Sequence, residues 1–184
     1  MVSNALVVGA GYVGGALRHQ LAPSFKTTLV RRSVTSDLTA NERAFALDLN
    51  TRKAWPDELS RIIYRVGFIL VPPRMGQEIP SSTYPDLAKR CISELNVKRW
   101  ILASSTSVYG EPEKNRITTD VDEKCPTSMN PRSALLLEAE EHIRKAGGQI
   151  VRFSGIYGQG RTRLIHKMLD GTIDRSSLGQ WTNR

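Results

Sequence analysis

Apolar positions in this chain fall in short runs without clean alternation. Six stand out: Ala5–Val8, Thr27–Val30, Ala44–Leu47, Gly67–Val71, Trp100–Ala103 and Gln149–Phe153. Most are rich in Val, Ile, Leu or Phe, the pattern of strands covered on both faces. Helical patterns with start and stop signals lie between most of them. Tyr12–Leu21 ends before Pro23, and Ser82–Leu95 carries Pro85 and Asp86 in its first turn. Asn130 caps a further helix that opens on Pro131 and ends at Gly147–Gly148. Pro56–Tyr64 is a shorter candidate with Asp57 and Glu58 near its start. Strand–helix alternation of this kind predicts an α/β fold with a doubly wound parallel sheet, six strands in the order 3-2-1-4-5-6. The link between the second and third strands is polar and lacks a good helix. Residues 1–170 read as one domain. Gly171–Arg184 reads as an irregular tail with little periodicity, as though the chain were cut or frayed there.

Composition narrows the class. With 184 residues, 40% of them hydrophobic, the chain can bury a core. No apolar run approaches the roughly 18 residues that a membrane span needs. The apolar N-terminus runs straight into glycines, as a buried strand and turn do, and lacks the basic start of a leader. Cys91 and Cys125 have neither metal-ligand spacing nor a disulfide framework, so no metal is expected and a reducing cytoplasm is the natural home. The net charge is +8, with 18 Arg against 8 Lys. These charges are scattered, with no run longer than a pair, so binding of small anions is expected rather than nucleic acid. A homodimer is compatible with this composition.

The chemistry gathers at the carboxyl ends of the strands, where ligands bind in such sheets. Gly9, Gly11 and Gly14, with Tyr12 and Val13 between them, form a GxGxxG motif between the first strand and first helix. That arrangement permits a tight turn, close approach of a pyrophosphate and close helix packing, with the helix N-terminus facing the phosphates. Arg31 and Arg32 end the second strand where an acidic residue would hold the ribose hydroxyls of NAD, and no carboxylate follows until Asp37. Two arginines suit a 2′-phosphate, so NADP is expected and NAD less so. Asp48, followed by Leu49, closes the third strand and could accept from an adenine amino group or cap a turn. Val71-Pro72-Pro73 closes the fourth as a stiff wall. The fifth strand runs into Ser104-Ser105-Thr106-Ser107-Val108-Tyr109-Gly110, a hydroxyl cluster able to meet a carbonyl or hydroxyl substrate.

Together, "GAGYVGG", "SSTSVYG" and "RFSGIYGQGR" resemble the extended and atypical short-chain dehydrogenase/reductases, the group of nucleotide-sugar epimerases and dehydratases. The resemblance covers nearly the whole chain. It implies an NAD(P)-binding Rossmann domain and puts Ser105 at the catalytic Ser/Thr. It puts Gly155, Ile156 and Tyr157 beside the nicotinamide and Arg161 on the substrate side. Ser104 is expected at the cofactor, and Thr106 and Tyr157 at the substrate.

Two departures matter. The family's Tyr and Lys, one turn apart, are replaced in "PRSALLLEAEE" by Arg132 and Leu136. Arg cannot act as an acid at neutral pH. The two are expected on one helix face toward the nicotinamide crevice, Arg132 holding a fixed charge there. The family also continues past the segment like "QWTNR", so much of its substrate-binding lobe would be absent. Two readings result. One is an NADP-dependent epimerase, dehydratase or reductase acting on a carbonyl compound or nucleotide sugar, with Ser105 holding the substrate oxygen and Tyr109 or a water carrying the proton. The other is a non-catalytic NADP-binding sensor or interaction module.

Overall fold

The computed structural model describes residues 2–34, 37–51, 53–73, 83–109, 122–128 and 130–171. Six strands form one parallel sheet: β1 (Ser3–Val8), β2 (Phe25–Arg31), β3 (Glu42–Ala46), β4 (Val66–Ile69), β5 (Trp100–Ser105) and β6 (Gln149–Phe153). Their spatial order is β3-β2-β1-β4-β5-β6, as the strand–helix alternation predicts. The helices are α1 (Tyr12–Leu21), α2 (Asp57–Ser60), α3 (Thr83–Glu94), α4 (Pro131–Lys145) and α5 (Arg163–Leu169).

Period-two alternation divides the strand residues between two apolar layers. Leu6, Val8, Val30, Ile69 and Leu102 share a core with Leu87 and Ala88 of α3 and Leu136, Ala139 and Ile143 of α4. Ala5, Val7 and Leu29 point the other way and cluster with Leu17 and Leu21 of α1. Gly67 is what lets β4 and β5 close up. A methyl group on it would sit 2.6 Å from the Trp100 ring, so the indole lies directly on the strand backbone.

The α4 signals act as read. The Asn130 side-chain oxygen accepts from the Ser133 N–H at 2.8 Å, Pro131 takes the first helical position, and Gly147 turns the chain at φ 71°. Other boundaries moved. The helix expected over Pro56–Tyr64 is only Asp57–Ser60, because Tyr64 is buried in a parallel bridge with Val97 just before β4. β5 continues two residues past the expected run Trp100–Ala103, through Ser104 and Ser105. α5 was not anticipated, although Leu164, Ile165, Met168 and Leu169 carry helical spacing. The tail proper, 172–184, lies outside the described residues.

Candidate active site

The loop from β1 to α1 is tied to its neighbour. The Gly9 and Ala10 N–H groups both donate to the Val30 carbonyl, at 2.9 and 3.1 Å. The three motif glycines are glycines for different reasons. Gly9 has φ 92°, and a methyl there would meet Val71 Cγ2 at 2.6 Å. Gly14 packs α1 onto the sheet, with the Gly9 carbonyl oxygen 3.0 Å and Val7 Cγ1 3.1 Å from where its methyl would be. Gly11 has ordinary φ and no atom within 4 Å of the added methyl. Among the described residues, a side chain there would meet no packed neighbour. Gly11 instead borders a cavity of about 440 Å³ along the carboxyl ends of the strands.

Each neighbouring strand end supplies a part of that cavity. Gly9 to Val13 form its floor, and α1 opens there with no side-chain cap and no acidic residue in its first turn. Arg31, Arg32 and Ser33 follow β2; Asp48, Leu49 and Asn50 follow β3; Leu70, Val71 and Pro72 follow β4. Ile156 and Arg161 arrive from beyond β6. Most of the expected cofactor set is thus brought together. Gly14 lies beneath the floor, and Pro73 is buried away from the lining. Ala10, Ser33, Asn50 and Leu70 were missed, although each adjoins a residue that was singled out.

The buried Arg18 of α1 donates to Asp37 Oδ2 at 2.9 Å and to its carbonyl at 2.8 Å, with Glu42 3.6 Å from Arg18 Nε. Asp48 Oδ1 accepts from the Asn50 N–H and side-chain amide, at 3.0 and 2.9 Å, so it caps its turn while it also borders the cavity. A dinucleotide fits these surroundings: a cavity lined from the ends of several strands, the N-terminus of a helix, open space at Gly11 and cations at one end.

The hydroxyl cluster at the end of β5 divides between the two faces of the sheet. Ser104 is buried and donates to Glu140 Oε1 of α4 at 2.6 Å, so its side chain is directed into the α4 layer and away from the cofactor groove expected of it. Ser105 faces the other way, half-buried, and its oxygen accepts from the Ser107 N–H to cap a 3₁₀ turn over Thr106–Val108. Thr106 reaches the Phe153 carbonyl at 3.5 Å. Glu140, fully buried, takes both Nε and Nη2 of Arg152 from β6, at 2.9 and 2.6 Å. Arg152 in turn donates through Nη1 to the Tyr109 hydroxyl at 2.8 Å and lies over the Tyr109 ring. The hydrogen bonds that Arg152 donates to the Glu140 carboxylate hold its guanidinium protonated beyond its already high range. Neither Glu140 nor Arg152 was picked from sequence.

The α4 departure resolves in part against expectation. Arg132 is exposed, and Leu136, only 1% exposed, belongs to the core with Ala139 and Ile143. The pair does not present a common face to a crevice, because α4 packs on the sheet and on α3 through the side that holds Leu136. Burial pushes the phenol of Tyr84 in α3 up, as does Glu140, while Arg132 opposes the rise. Gly155 and Tyr157 are exposed and lie outside the cavity lining. Arg161, expected on the substrate side, lies over the Tyr12 ring at 4.7 Å and lines the same cavity as the glycine loop. Cys91 is buried and Cys125 half-buried, and no disulfide joins the two. Among the described residues no group of three His, Cys, Asp or Glu could hold a metal, and no helix is long and apolar enough to cross a membrane.

Fold and groove define a doubly wound α/β protein of the Rossmann kind with a glycine-rich loop at the head of its first helix. Among solved structures, one similar chain is a Methylobacillus flagellatus protein described as an NAD-dependent epimerase/dehydratase, at 26% identity and TM-score 0.72 over 96% of this chain. UDP-glucuronic acid 4-epimerase from Bacillus cereus, solved with NAD, matches over 91% at 19% identity and TM-score 0.69. MoeE5 in complex with UDP-glucuronic acid and NAD matches over 95% at 23% identity and TM-score 0.68. The chain spans 63%, 63% and 62% of these three proteins' lengths. The resemblance carried by the sequence motifs therefore holds at the level of fold. No protein-family model and no curated protein matches the sequence.

Proposed function

We propose that this chain is an NAD(P)-dependent protein of the epimerase/dehydratase kind, with NADP favoured over NAD and a nucleotide sugar or related carbonyl compound as substrate. The observation that carries the reading is Gly11. Its open side borders the cavity and meets no neighbour among the described residues, which leaves room for close approach of a ligand. Gly9, Gly11, Tyr12 and Val13 would meet the pyrophosphate, and Arg31 and Arg32 a 2′-phosphate. Asp48 and Leu49 would border the adenine, with Val71, Pro72 and Ile156 along the wall. The solved neighbours carry NAD, so the preference for NADP rests on the two arginines alone. Bound in the groove, the nicotinamide would supply hydride transfer. The protein's own part is then orientation. Ser105 would hold the substrate oxygen, and a water the proton, since the Tyr109 hydroxyl is already held by Arg152. Titrating NADPH and NADH side by side tests the cofactor. Tighter binding of NADPH is expected; equal affinities or a preference for NADH would remove the arginine assignment.

The second reading, a dinucleotide-binding module without turnover, is favoured by one observation: Leu136 is sealed in the core and Arg132 cannot donate a proton at neutral pH. A panel of sugar nucleotides and small carbonyls decides. Turnover that falls on Ser105→Ala supports the enzyme; NADPH binding with no turnover on any substrate supports the module.

A further inference from the structure

We propose that Arg161, Tyr12 and Gly158 form a clasp over the dinucleotide groove, with Arg161 as a ligand of the cofactor's pyrophosphate. This rests on the cofactor reading above and deepens it, since it moves Arg161 from the substrate to the cofactor.

Tyr12 is the first residue of α1, directly after Gly11, and is 40% exposed. Its ring is engaged by a segment from the far side of the sheet. The Arg161 guanidinium lies 4.7 Å from the ring centroid, and the Tyr12 hydroxyl is 2.5 Å from where a methyl on Gly158 would stand. The Gly158–Arg161 turn is a closed unit, Arg161 N–H donating to the Gly158 carbonyl at 2.8 Å and Gly158 N–H to the Arg161 carbonyl at 3.4 Å. Gly158 at φ 149° and Gly160 at φ 74° hold conformations that a side chain would strain. Two glycines thus set the turn against the phenol, and the turn presents its arginine to the ring and to the cavity.

Sheet order says which part of a dinucleotide this arginine meets. Arg31 and Arg32 follow β2, on one side of β1, whereas Arg161 follows β6, on the other side. Arg161 reaches back across β5 and β4 to the residue next to the glycine loop. That is the middle of the groove, at the N-terminus of α1, where phosphates sit. Among the described residues its guanidinium has no carboxylate partner. A cation resting on an aromatic face keeps its N–H edges available for an anion.

The pyrophosphate is common to NADPH and NADH, so the clasp acts on both equally, unlike Arg31 and Arg32. The full 184-residue chain is titrated with NADPH and NADH by nicotinamide fluorescence, with off-rates from competitive displacement. Arg161→Leu should weaken both by a similar factor of roughly ten or more, the worth of a hydrogen bond to a charged group. The loss should appear mainly as faster release. Arg161→Lys should recover part of the affinity. Gly158→Ala, whose methyl displaces the Tyr12 hydroxyl, should shift both cofactors in the same direction. UDP-glucose binding, measured by calorimetry, should not follow these changes. Unchanged cofactor affinity in Arg161→Leu, a change confined to one cofactor, or a loss confined to UDP-glucose overturns the clasp and leaves the cofactor reading standing. A wild-type chain that binds neither NADPH nor NADH overturns that reading, and the clasp with it.

Discussion

Glu140 of α4 lies outside the groove, on the face of the helix that packs on the sheet. Its carboxylate is fully buried and answers to Ser104 at 2.6 Å and to two nitrogens of Arg152, with Arg144 at 3.7 Å. A buried charge is tolerable only when paired, and removing one partner strands the other. Glu140→Ala should therefore lose about 3–5 kcal/mol of stability. A urea unfolding midpoint within error of wild type would refute this. The same change releases the Arg152 hydrogen bond that fixes Tyr109, so it should also loosen the loop after β5. This network shows where reading the sequence stops. Gly9, Gly11, Arg31 and Arg32 were legible because each belongs to a short motif whose chemistry is local. Glu140 and Arg152 meet only because α4 lies across β5 and β6, and nothing in their spacing announces that crossing.

At the scale of elements, strand order and most helix ends were legible, since buried runs, caps and glycine stops are written locally. Orientation was harder. In "SSTSVYG" the pleat sends Ser104 to α4 and Ser105 to the opposite face, so adjacent hydroxyls have different work. In α4, spacing alone suggested that Arg132 and Leu136 shared a face, but spacing does not say which face α4 buries. Leu136 faces the core with Ala139 and Ile143. This sets an expectation for the double change Arg132→Tyr with Leu136→Lys. The lysine would enter an apolar layer without a partner, and an unpaired buried charge costs several kcal/mol or forces the amine neutral. The double variant should unfold at clearly lower temperature than Arg132→Tyr alone, and circular dichroism on heating distinguishes the two. Equal melting of both variants would mean that Leu136 has room to turn toward the crevice.

Across the whole molecule, the two faces of the sheet are not covered alike. On one face α3 and α4 seal β1, β4, β5 and β6 through Leu6, Ile69, Leu102 and the partly buried Ile150. On the other, α1 shelters β1 and β2, while among the described residues the β5–β6 end stays open. Register makes this concrete. Ala103 is paired with Val151 and Ser105 with Phe153, all four on the open side, and Val151 and Phe153 are exposed. Removing a side chain from the sealed face loses contacts that cannot reform, whereas at the open face the removed atoms were already partly in water. Leu102→Ala should cost about 2–5 kcal/mol. Val151→Thr, one register position away on the opposite face, should stay within about 0.5 kcal/mol. Guanidinium melts of the two variants, each against wild type, measure the contrast. If Val151→Thr proves as costly as Leu102→Ala, the β5–β6 end is covered in solution, and the cover must come from outside the described residues.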